Sequence, residues 1–515
     1  MQSVPDQPDP PETTHAAIAR DARDLRRSLS VNLVGYALKF AVPFLTIVII
    51  RCYGAGPYGV FILAQSILAV LLRLSLLGLD KGLLWWIPRQ SAADERVGIG
   101  PVLMLTTTMS VALAALTASV LAPEIAAWAS HPEIADSLRW MVAGLVPMAM
   151  IEVLCQAAIG KRHLEAQVLA KEGVVSLTMV VSALVFYGLG LASAGLGLAF
   201  FLSNAAGLFA VFWVFRRAFA GSRGRATPWR LPLALWTYSW PMWLSELASS
   251  VFGRLDVFVL AALTSDVEVG IFAGAAQYAQ NVASIRGSFD PMVTAIVSQI
   301  HHAKDAGRLR RGFAHAWILV ASLELPVVAF MVVAAAWVMP ILGETYAAGV
   351  VPALILIGFY AVHGLFGLNQ HIISGFGHSR LVLLNILIAI GVAFGLLFLL
   401  IPKFGVAGAA LGIGLTYLLL NLIWVAEARV IIGGWHYERS IGAVLLLAAA
   451  GAGAMAASWL GLRTVLMASN GADLFSRGVG LLAFMGVFGG GLLALRRSGR
   501  LADAPPAEPS GSAPA

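Results

Sequence analysis

The stretch SILAVLLRLSLLGLD, residues 66–80, decides how this chain is built. It is apolar except for two serines, Arg73 near its centre and Asp80 at its end. The stretch belongs to an apolar run over residues 59–79, and an α-helix of about 20 residues crosses roughly 30 Å of hydrocarbon. The pattern therefore predicts a membrane-spanning helix that carries a positive charge inside its apolar segment.

The composition of the whole chain agrees with a membrane protein. Of the 515 residues, 59% are hydrophobic and only 12% are charged, and the mean hydropathy is +0.83. Soluble domains contain about twice this share of charged residues. Apolar runs of about 20 residues recur along the chain, and helices of that length satisfy every backbone amide internally. The sequence predicts an all-α polytopic membrane protein.

Hydropathy predicts about fourteen transmembrane helices. The predicted spans are 31–50, 59–79, 98–122, 139–160, 174–190, 195–215, 235–262, 269–298, 312–338, 351–373, 381–402, 405–428, 440–460 and 478–495. Residues 1–30 are polar and lack the apolar core of a signal peptide, so we expect a tail there. The last residues, 498–515, are rich in Pro, Ala and Ser and are expected to be disordered.

An internal repeat organises these spans into two halves. YGVFILAQSILAV, from Tyr58, aligns with VGIFAGAAQYAQN, from Val269, and GLASAGLGLAFFLSN, from Gly190, resembles GVAGAALGIGLTYLLLN, from Gly405. The repeat predicts two six-helix lobes in the same orientation, related by an axis along the membrane normal. The predicted domains are an N-lobe over 31–215, a basic linker over 216–234, a C-lobe over 235–432 and two extra helices over 433–497.

The distribution of basic residues predicts the orientation. Most of the 34 Lys and Arg residues fall on one side of the predicted spans, together with both tails. Because basic residues near span ends stay in the cytoplasm, we expect both termini and the linker, with its run RRAFAGSRGRATPWR (216–230), to be cytoplasmic. This rule also accounts for the sequence pI of about 9.6, so the charge does not indicate nucleic-acid binding.

Four basic residues lie inside predicted spans: Lys39, Arg73, Arg254 and Arg286. A cation at the bilayer centre costs about 2.5–3.5 kcal/mol on insertion scales, so it normally faces a bundle interior or a wet cavity. Lys39, Arg73 and Arg286 are expected to line one cavity that opens inward. Two alternatives remain for Arg286 and Lys39, because Arg286 has Asp290 one turn later and Lys39 can extend to the interface. Arg254 lies beside Asp256 and is expected to form a structural pair.

Embedded carboxylates form a second set of candidate residues. Glu152 lies in the fourth predicted span and Glu246 in the seventh. Either residue can partner a basic residue on another helix, or can take and release a proton as access to the site alternates. No phosphate-binding loop, metal-ligand spacing or Ser/His/Asp cluster stands out, so no metal site, cofactor or catalytic residue is predicted. Coupling to H⁺ or Na⁺ is left open.

Two segments of the sequence resemble a known family. RCYGAGPYGVFILAQSILAVLLRLSLLGLDKGLLWWIPRQ (51–90) and YSWPMWLSELASSVFGRLDVFVLAALTSDVEVGIFAGAAQYAQ (238–280) are similar to the polysaccharide-transport, or oligosaccharide flippase, family. This family belongs to the multidrug/oligosaccharidyl-lipid/polysaccharide (MOP) exporter superfamily. The resemblance covers roughly residues 28–432. Its motifs are glycine-dominated, so they specify the family better than the substrate.

The resemblance implies a flippase and not an enzyme. Members move undecaprenyl-diphosphate-linked oligosaccharides to the outer leaflet of the bacterial cytoplasmic membrane by alternating access, for the assembly of exopolysaccharide, O-antigen or capsule. Related peptidoglycan-precursor flippases hold the diphosphate with basic residues on their first, second and eighth helices. Lys39, Arg73 and Arg286 lie on those helices here, although a lysine at position 39 cannot make the bidentate contact that arginine makes. A polysaccharide polymerase and a chain-length regulator are the implied protein partners.

The sequence is also compatible with two alternative functions. One is a cation-coupled multidrug exporter of the same superfamily, although sites for cationic drugs tend to be acidic and aromatic, whereas this chain carries four embedded cations. The other is a membrane-bound sugar polymerase or ligase. Such enzymes carry a large outer loop with catalytic residues, and the longest predicted outer loop here is short.

Overall fold

The computed structural model describes residues 46–90, 96–124, 133–161, 165–191, 193–220, 231–287, 306–376, 378–432, 439–465 and 470–498, with the single residues 163, 290, 434 and 437. Within these ranges the chain is helical and contains no strand. The predicted tails, most of the basic linker and Lys39 lie outside the described residues.

Sixteen α-helices longer than one turn are labelled here, after a short helical segment at residues 46–53. They are α1 (Ala55–Leu76), α2 (Leu79–Trp86), α3 (Ile99–Leu116), α4 (Glu133–Ala143), α5 (Leu145–Gly160), α6 (Ser176–Gly188), α7 (Ser193–Ala218), α8 (Leu233–Phe252), α9 (Leu255–Leu263), α10 (Asp266–Gly287), α11 (Ala306–Leu342), α12 (Val350–Phe366), α13 (Asn369–Gly375), α14 (Ser379–Ile432), α15 (Arg439–Val465) and α16 (Asn470–Arg497).

Ten helical segments among the described residues are long and apolar enough to cross a membrane. Several agree with the predicted spans within a few residues, for example Ser193–Ala218, Ser440–Leu462 and Ser476–Arg497. The prediction of an all-α, multi-pass membrane protein is therefore confirmed. The sequence predicts fourteen transmembrane helices, whereas the described residues contain ten candidate segments. The number fourteen therefore stays a prediction.

Helix α14 shows why spans and helices differ in number. It is 54 residues long, or about 80 Å at 1.5 Å per residue, which exceeds the thickness of a bilayer. Gly405 interrupts its helical geometry with φ 54° and ψ −130°, three residues after Pro402. The sequence predicts the boundary between two spans at this point, at 402–405. The single long element thus holds two predicted spans.

Two other predicted spans have a different local structure. The span 235–262 is divided into α8 and α9, which are separated by Gly253 and Arg254. The span predicted to start at residue 174 starts earlier, since the helical segment begins at Glu165 and passes through a π-helix, Val168–Val175. Wide turns of this kind are frequent at functional sites. The earlier start brings Lys171 into the segment, where the sequence predicts a cytoplasmic loop.

The structure divides into two compact units, which are described separately. Unit 1 contains Leu71–Ser119 and Arg139–Trp243. Its core forms around α5, where Ile151, Leu154 and Cys155 pack with Val211 and Val214 of α7. The arrangement places Glu152 of α5 close to this core, and it fixes the position of the first charged cluster described below.

Unit 2 contains Ile47–Val70, Val120–Leu138 and the chain from Leu244 onward. Helix α12 packs against α10, α11 and α14. The large apolar core of this unit includes Phe272 of α10, Leu356 and Ile357 of α12, and Trp424 of α14. The predicted lobe boundaries, 31–215 and 235–432, are not tested by this division.

The aligned glycines of the predicted repeat meet each other inside unit 2. Gly59 of α1 and Gly270 of α10 occupy equivalent positions in the two aligned segments. A Cβ at Gly59 would lie 2.9 Å from the backbone nitrogen of Gly270, and a Cβ at Gly270 would lie 2.7 Å from the carbonyl carbon of Ala55. Only glycine permits this approach of the two backbones. The repeat in the sequence thus corresponds to a reciprocal helix contact.

Candidate functional site

Arg73 lies in the last turn of α1 and forms an ion pair with Asp80 of α2. Its Nη1 is 3.7 Å from Oδ2 of Asp80, and the two side chains are 24% and 2% exposed. An isolated ionised carboxylate would be costly at such a buried position. The guanidinium of Arg73 therefore stabilises the charge of Asp80, while part of the arginine stays accessible.

The turn between α1 and α2 creates this pair. Leu77 and Gly78 both have positive φ, 50° and 71°, so the helix ends and the chain bends before Asp80. Trp243 of α8 donates a hydrogen bond from Nε1 to the carbonyl oxygen of Arg73 at 2.9 Å. This bond satisfies one of the free carbonyls at a helix C-terminus. A Cβ at Gly78 would lie 2.9 Å from the backbone nitrogen of Trp243, so glycine is required for the contact.

Glu152 of α5 joins the same group of charges. Its Oε2 accepts a hydrogen bond from Nζ of Lys171 in the π-helical segment. Arg73 and Lys81 also act electrostatically on Glu152, and Glu152 and Lys81 act on Asp80. We call these five residues the Arg73 cluster: Arg73, Asp80, Lys81, Glu152 and Lys171. With all of them ionised, three cations face two carboxylates, so the cluster has a net positive charge.

Arg286 lies in the last turn of α10, in unit 2, and has a different environment. Its Nη2 is 3.7 Å from Oδ2 of Asp290, the residue four positions later. Oδ1 of Asp290 is 2.9 Å from Nε2 of His371 on α13. The predicted i,i+4 neighbour of Arg286 is therefore present, and it is shared with a histidine.

Glu324 of α11 is the second acidic residue near Arg286. It is 0% exposed, and the charge that acts on it is that of Arg286. Cβ atoms at Gly364 and Gly367 would overlap the carboxyl group of Glu324 and Nη1 of Arg286, respectively. Nδ1 of His363, on α12, lies 3.2 Å from Oδ1 of Asn421. His363 also interacts electrostatically with Arg286. We call this the Arg286 cluster: Arg286, Asp290, Glu324, His363 and His371.

Comparison with known proteins identifies the family. A family model described as "Polysaccharide biosynthesis protein" matches residues 25–289, just over half of the 515-residue chain. The chain belongs to this family. The match includes Arg73, Glu152 and Arg286, whereas Asp290 and Glu324 lie beyond it. A search of curated protein sequences finds no match.

Solved structures show the same fold for this family member. A structure described as "Lipid II flippase MurJ, inward closed conformation" aligns with a TM-score of 0.71 at 10% identity, over 90% of this chain and 99% of that one. An inward-facing multidrug resistance MATE family transporter of the MOP superfamily aligns with a TM-score of 0.64 at 17% identity, over 78% of this chain and 98% of that one. At these identities the similarity shows a shared fold, and the expected polysaccharide family is confirmed by the family model.

The remaining predicted residues have other surroundings. Glu246 is half-buried on α8. Arg254 lies at the break between α8 and α9, where it precedes the first residue of α9. Oδ1 of Asp256 accepts a hydrogen bond from the backbone amide of Val257 at 2.8 Å, in the first turn of α9. This bond stabilises the N-terminus of α9, which gives Asp256 a structural role.

Six residues of the two clusters are not among the candidates predicted from the sequence: Asp80, Lys81, Lys171, Glu324, His363 and His371. Hydropathy placed Lys171 in a loop, because the π-helical turns that include it are more polar than the span that follows. Glu324 stands alone in an apolar span, SLELPVV, with no partner nearby in the sequence. The signal for its environment is the segment HGLFG (363–367), whose two glycines leave room for Glu324 and Arg286. Among the described residues, no group of three or more His, Cys, Asp or Glu side chains is placed to hold a metal ion.

Proposed function

We propose that this family member is a flippase for a polyprenyl-diphosphate-linked oligosaccharide. It moves the lipid from the inner to the outer leaflet of the bacterial cytoplasmic membrane by alternating access, with both termini in the cytoplasm. The family description supports a polysaccharide substrate, and the fold shared with a lipid II flippase supports transport of a lipid-linked sugar. The polymer formed outside would be an exopolysaccharide, O-antigen or capsule, made with a polymerase and a chain-length regulator as partners.

The observation that carries this proposal is the net positive charge of the Arg73 cluster. Embedded cations are costly unless they face a partner or a wet cavity. Within the Arg73 cluster, two carboxylates, Asp80 and Glu152, face three cations. Arginine binds phosphate through two parallel, charge-assisted hydrogen bonds. A diphosphate that enters the membrane region would complete the charge compensation, while its prenyl chain stays among lipids.

Removal of the two arginines tests the proposal. In liposomes with a fluorescent polyprenyl-diphosphate sugar, we expect Arg73→Ala and Arg286→Ala to reduce flipping at least about tenfold, because each change removes charge-assisted hydrogen bonds worth about 1.5–3 kcal/mol. Arg51→Ala is the matched control: this arginine is exposed, and its Nη1 donates to the carbonyl oxygen of Ile341 at 2.8 Å. Control and variants should reach the same protein level. A double variant that flips the lipid like the parent protein would contradict the proposal.

A second candidate function is export of cationic drugs, which the fold similarity to MATE family transporters favours. The two functions require opposite charges at the site. Efflux of ethidium from cells that overproduce the protein separates them. We expect no efflux above that of cells with empty vector, because the net positive charge of the Arg73 cluster repels a cationic drug. Efflux that survives Arg73→Ala would support the drug exporter.

A further inference from the structure

Lys171 is a cation inside a membrane-spanning segment, and its position depends on an unusual local structure. It lies in the π-helical segment Val168–Val175, near the start of the span Glu165–Gly188. Ser176 donates a hydrogen bond from Oγ to the carbonyl oxygen of Lys171 at 3.2 Å. This bond satisfies a backbone acceptor in turns that are wider than those of an α-helix. The wide turns are therefore stabilised at the residue that carries the charge.

A glycine of α7 fixes the position of this segment within unit 1. A Cβ at Gly207 would overlap Cγ2 of Val175 and would lie 3.1 Å from Cδ1 of Ile151. Helix α7 thus packs closely on the π-helical segment and on α5 at the same level. Glu152, the residue after Ile151, accepts a hydrogen bond from Nζ of Lys171. The close packing at the glycine therefore brings the ammonium group of the lysine to this carboxylate.

The two carboxylates of the Arg73 cluster lie at the same level of two paired helices. Helices α2 and α5 pack against each other, and a Cβ at Gly160, the last residue of α5, would lie 3.1 Å from Cβ of Ile87, the residue after α2. Because both helices end at this contact and pack side by side, they run in the same direction. Asp80 and Glu152 lie seven and eight residues before the contact. Packed helices are about 8–10 Å apart, so the cations held by these carboxylates belong to one site.

Two cations of this site remain accessible to a ligand. The side chains of Arg73 and Lys171 are 24% and 30% exposed, although each forms an ion pair. A guanidinium has five N–H donors and an ammonium group has three, which is enough for a carboxylate and a further anion. Ion pairs at buried positions add little stability by themselves, since apolar residues of similar volume often replace them without loss. Two accessible cations on separate carboxylates suit a ligand with two anionic groups.

We propose that Lys171 binds the second phosphate group of the substrate and so selects a diphosphate over a monophosphate headgroup. This inference rests on the proposed function and adds a specificity-determining residue to it. The planar guanidinium of Arg73 binds one phosphate group through two parallel hydrogen bonds, while the ammonium group of Lys171 acts as a point charge on the other. Asp80 and Glu152 hold the two cations in place. A prenyl monophosphate reaches only the arginine and lacks the contact with the lysine.

Binding of two prenyl lipids to the full-length protein in detergent tests this role. We expect the parent protein to bind farnesyl diphosphate at least about tenfold more tightly than farnesyl monophosphate. Lys171→Met should bind the diphosphate about tenfold more weakly and the monophosphate with unchanged affinity, so that the selectivity falls to about one. Lys171→Arg keeps the charge and should retain the preference. Inorganic diphosphate should bind more weakly than farnesyl diphosphate, and equal affinities would contradict a lipid ligand.

A double variant separates phosphate binding from a structural role of the lysine. In Lys171→Met the carboxylate of Glu152 loses its partner, whereas in the combination of Lys171→Met with Glu152→Gln both partners are uncharged. We expect the double variant to show the same loss of selectivity, and it replaces the single variant if that protein does not fold. A selectivity restored to the parent value would overturn the proposal, because Lys171 would then only compensate the charge of Glu152.

Two further lysines complete the experiment. Lys161→Met is the matched control: this lysine follows α5, its Nζ lies 5.7 Å from the ring centroid of Phe219, and the variant should bind both lipids like the parent protein. Loss of selectivity in Lys81→Met but not in Lys171→Met would assign the second phosphate to Lys81 and overturn the role of Lys171. Unchanged binding of both lipids by Arg73→Ala would instead contradict the proposed function.

Discussion

Arg73 and Arg286 occupy related positions in the aligned repeats but face different partners. Arg73 has Asp80 at 3.7 Å, within a cluster that also contains two lysines. Arg286 has Asp290 at 3.7 Å and a second carboxyl group, Glu324, in its electrostatic environment. The first arginine thus belongs to a cluster of three cations and two carboxylates, whereas the second has one ion pair, with Asp290, and lies near a buried carboxyl group.

Glu152 allows a prediction at the level of a single residue. If it carries the coupling ion, its bond with Lys171 has to break and re-form as the protein cycles. In liposomes, a pH gradient should then change the flipping rate of the parent protein and not that of Glu152→Gln. Glu246→Gln, the same change at the other predicted coupling residue, is measured in parallel. If both variants respond to the gradient like the parent protein, neither residue carries the coupling ion, and the bond between Glu152 and Lys171 is a permanent structural contact.

At the scale of helices, the contact between α1 and α10 has no space for a side chain at either glycine. We expect Gly59→Ala and Gly270→Ala each to destabilise the protein by about 1–3 kcal/mol, since the added methyl group forces the backbones apart. The midpoint of thermal unfolding, followed by tryptophan fluorescence in detergent, measures the effect. Gly56→Ala is the control in the same helix, because the nearest atom, Cγ2 of Val267, would be 3.9 Å from its Cβ. An unchanged midpoint for Gly59→Ala would show that the two helices are free to separate.

The sequence predicts the helices better than the contacts between them. Hydropathy defines where a chain enters and leaves the membrane, so Ser193–Ala218 and the boundary at Gly405 follow from the sequence. It does not define which way a helix faces. Arg73 and Asp80 lie seven positions apart, a separation that only the bend at Leu77 and Gly78 makes short. The contact between Lys171 and Glu152 could not be predicted because it depends on the π-helical turns that carry Lys171. The position of Glu324 depends on the packing of α11 against Gly364 of α12.

At the scale of the molecule, each unit places an arginine from the second helix of a repeat against the fourth. In unit 1, Arg73 acts on Glu152, which lies in the fourth predicted span. In unit 2, Arg286 lies against Gly367, which follows α12 in the tenth predicted span. The repeat offset of 211 residues aligns Glu152 with His363, and His363 interacts electrostatically with Arg286. The second and fourth helices thus lie close together in both predicted repeats, and the residue of the fourth helix affected by the arginine is Glu152 in one and His363 in the other.

The orientation predicted from the sequence can be tested at the ends of α7 and α8. Helix α7 ends with Arg216 and Arg217, and the guanidinium of Arg217 lies 3.6 Å above the ring of Trp213. Basic residues next to a span are typical of its cytoplasmic end, so we expect this end of α7 to be cytoplasmic. The predicted span 235–262, which contains α8 and α9, would bring the chain to the other side of the membrane before Ser265. We expect a green fluorescent protein fusion after Arg225 to fluoresce and an alkaline phosphatase fusion there to be inactive, with the reverse result at Ser265. The same reporter active at both positions would contradict a parallel repeat, because the second six helices would then begin on the wrong side of the membrane.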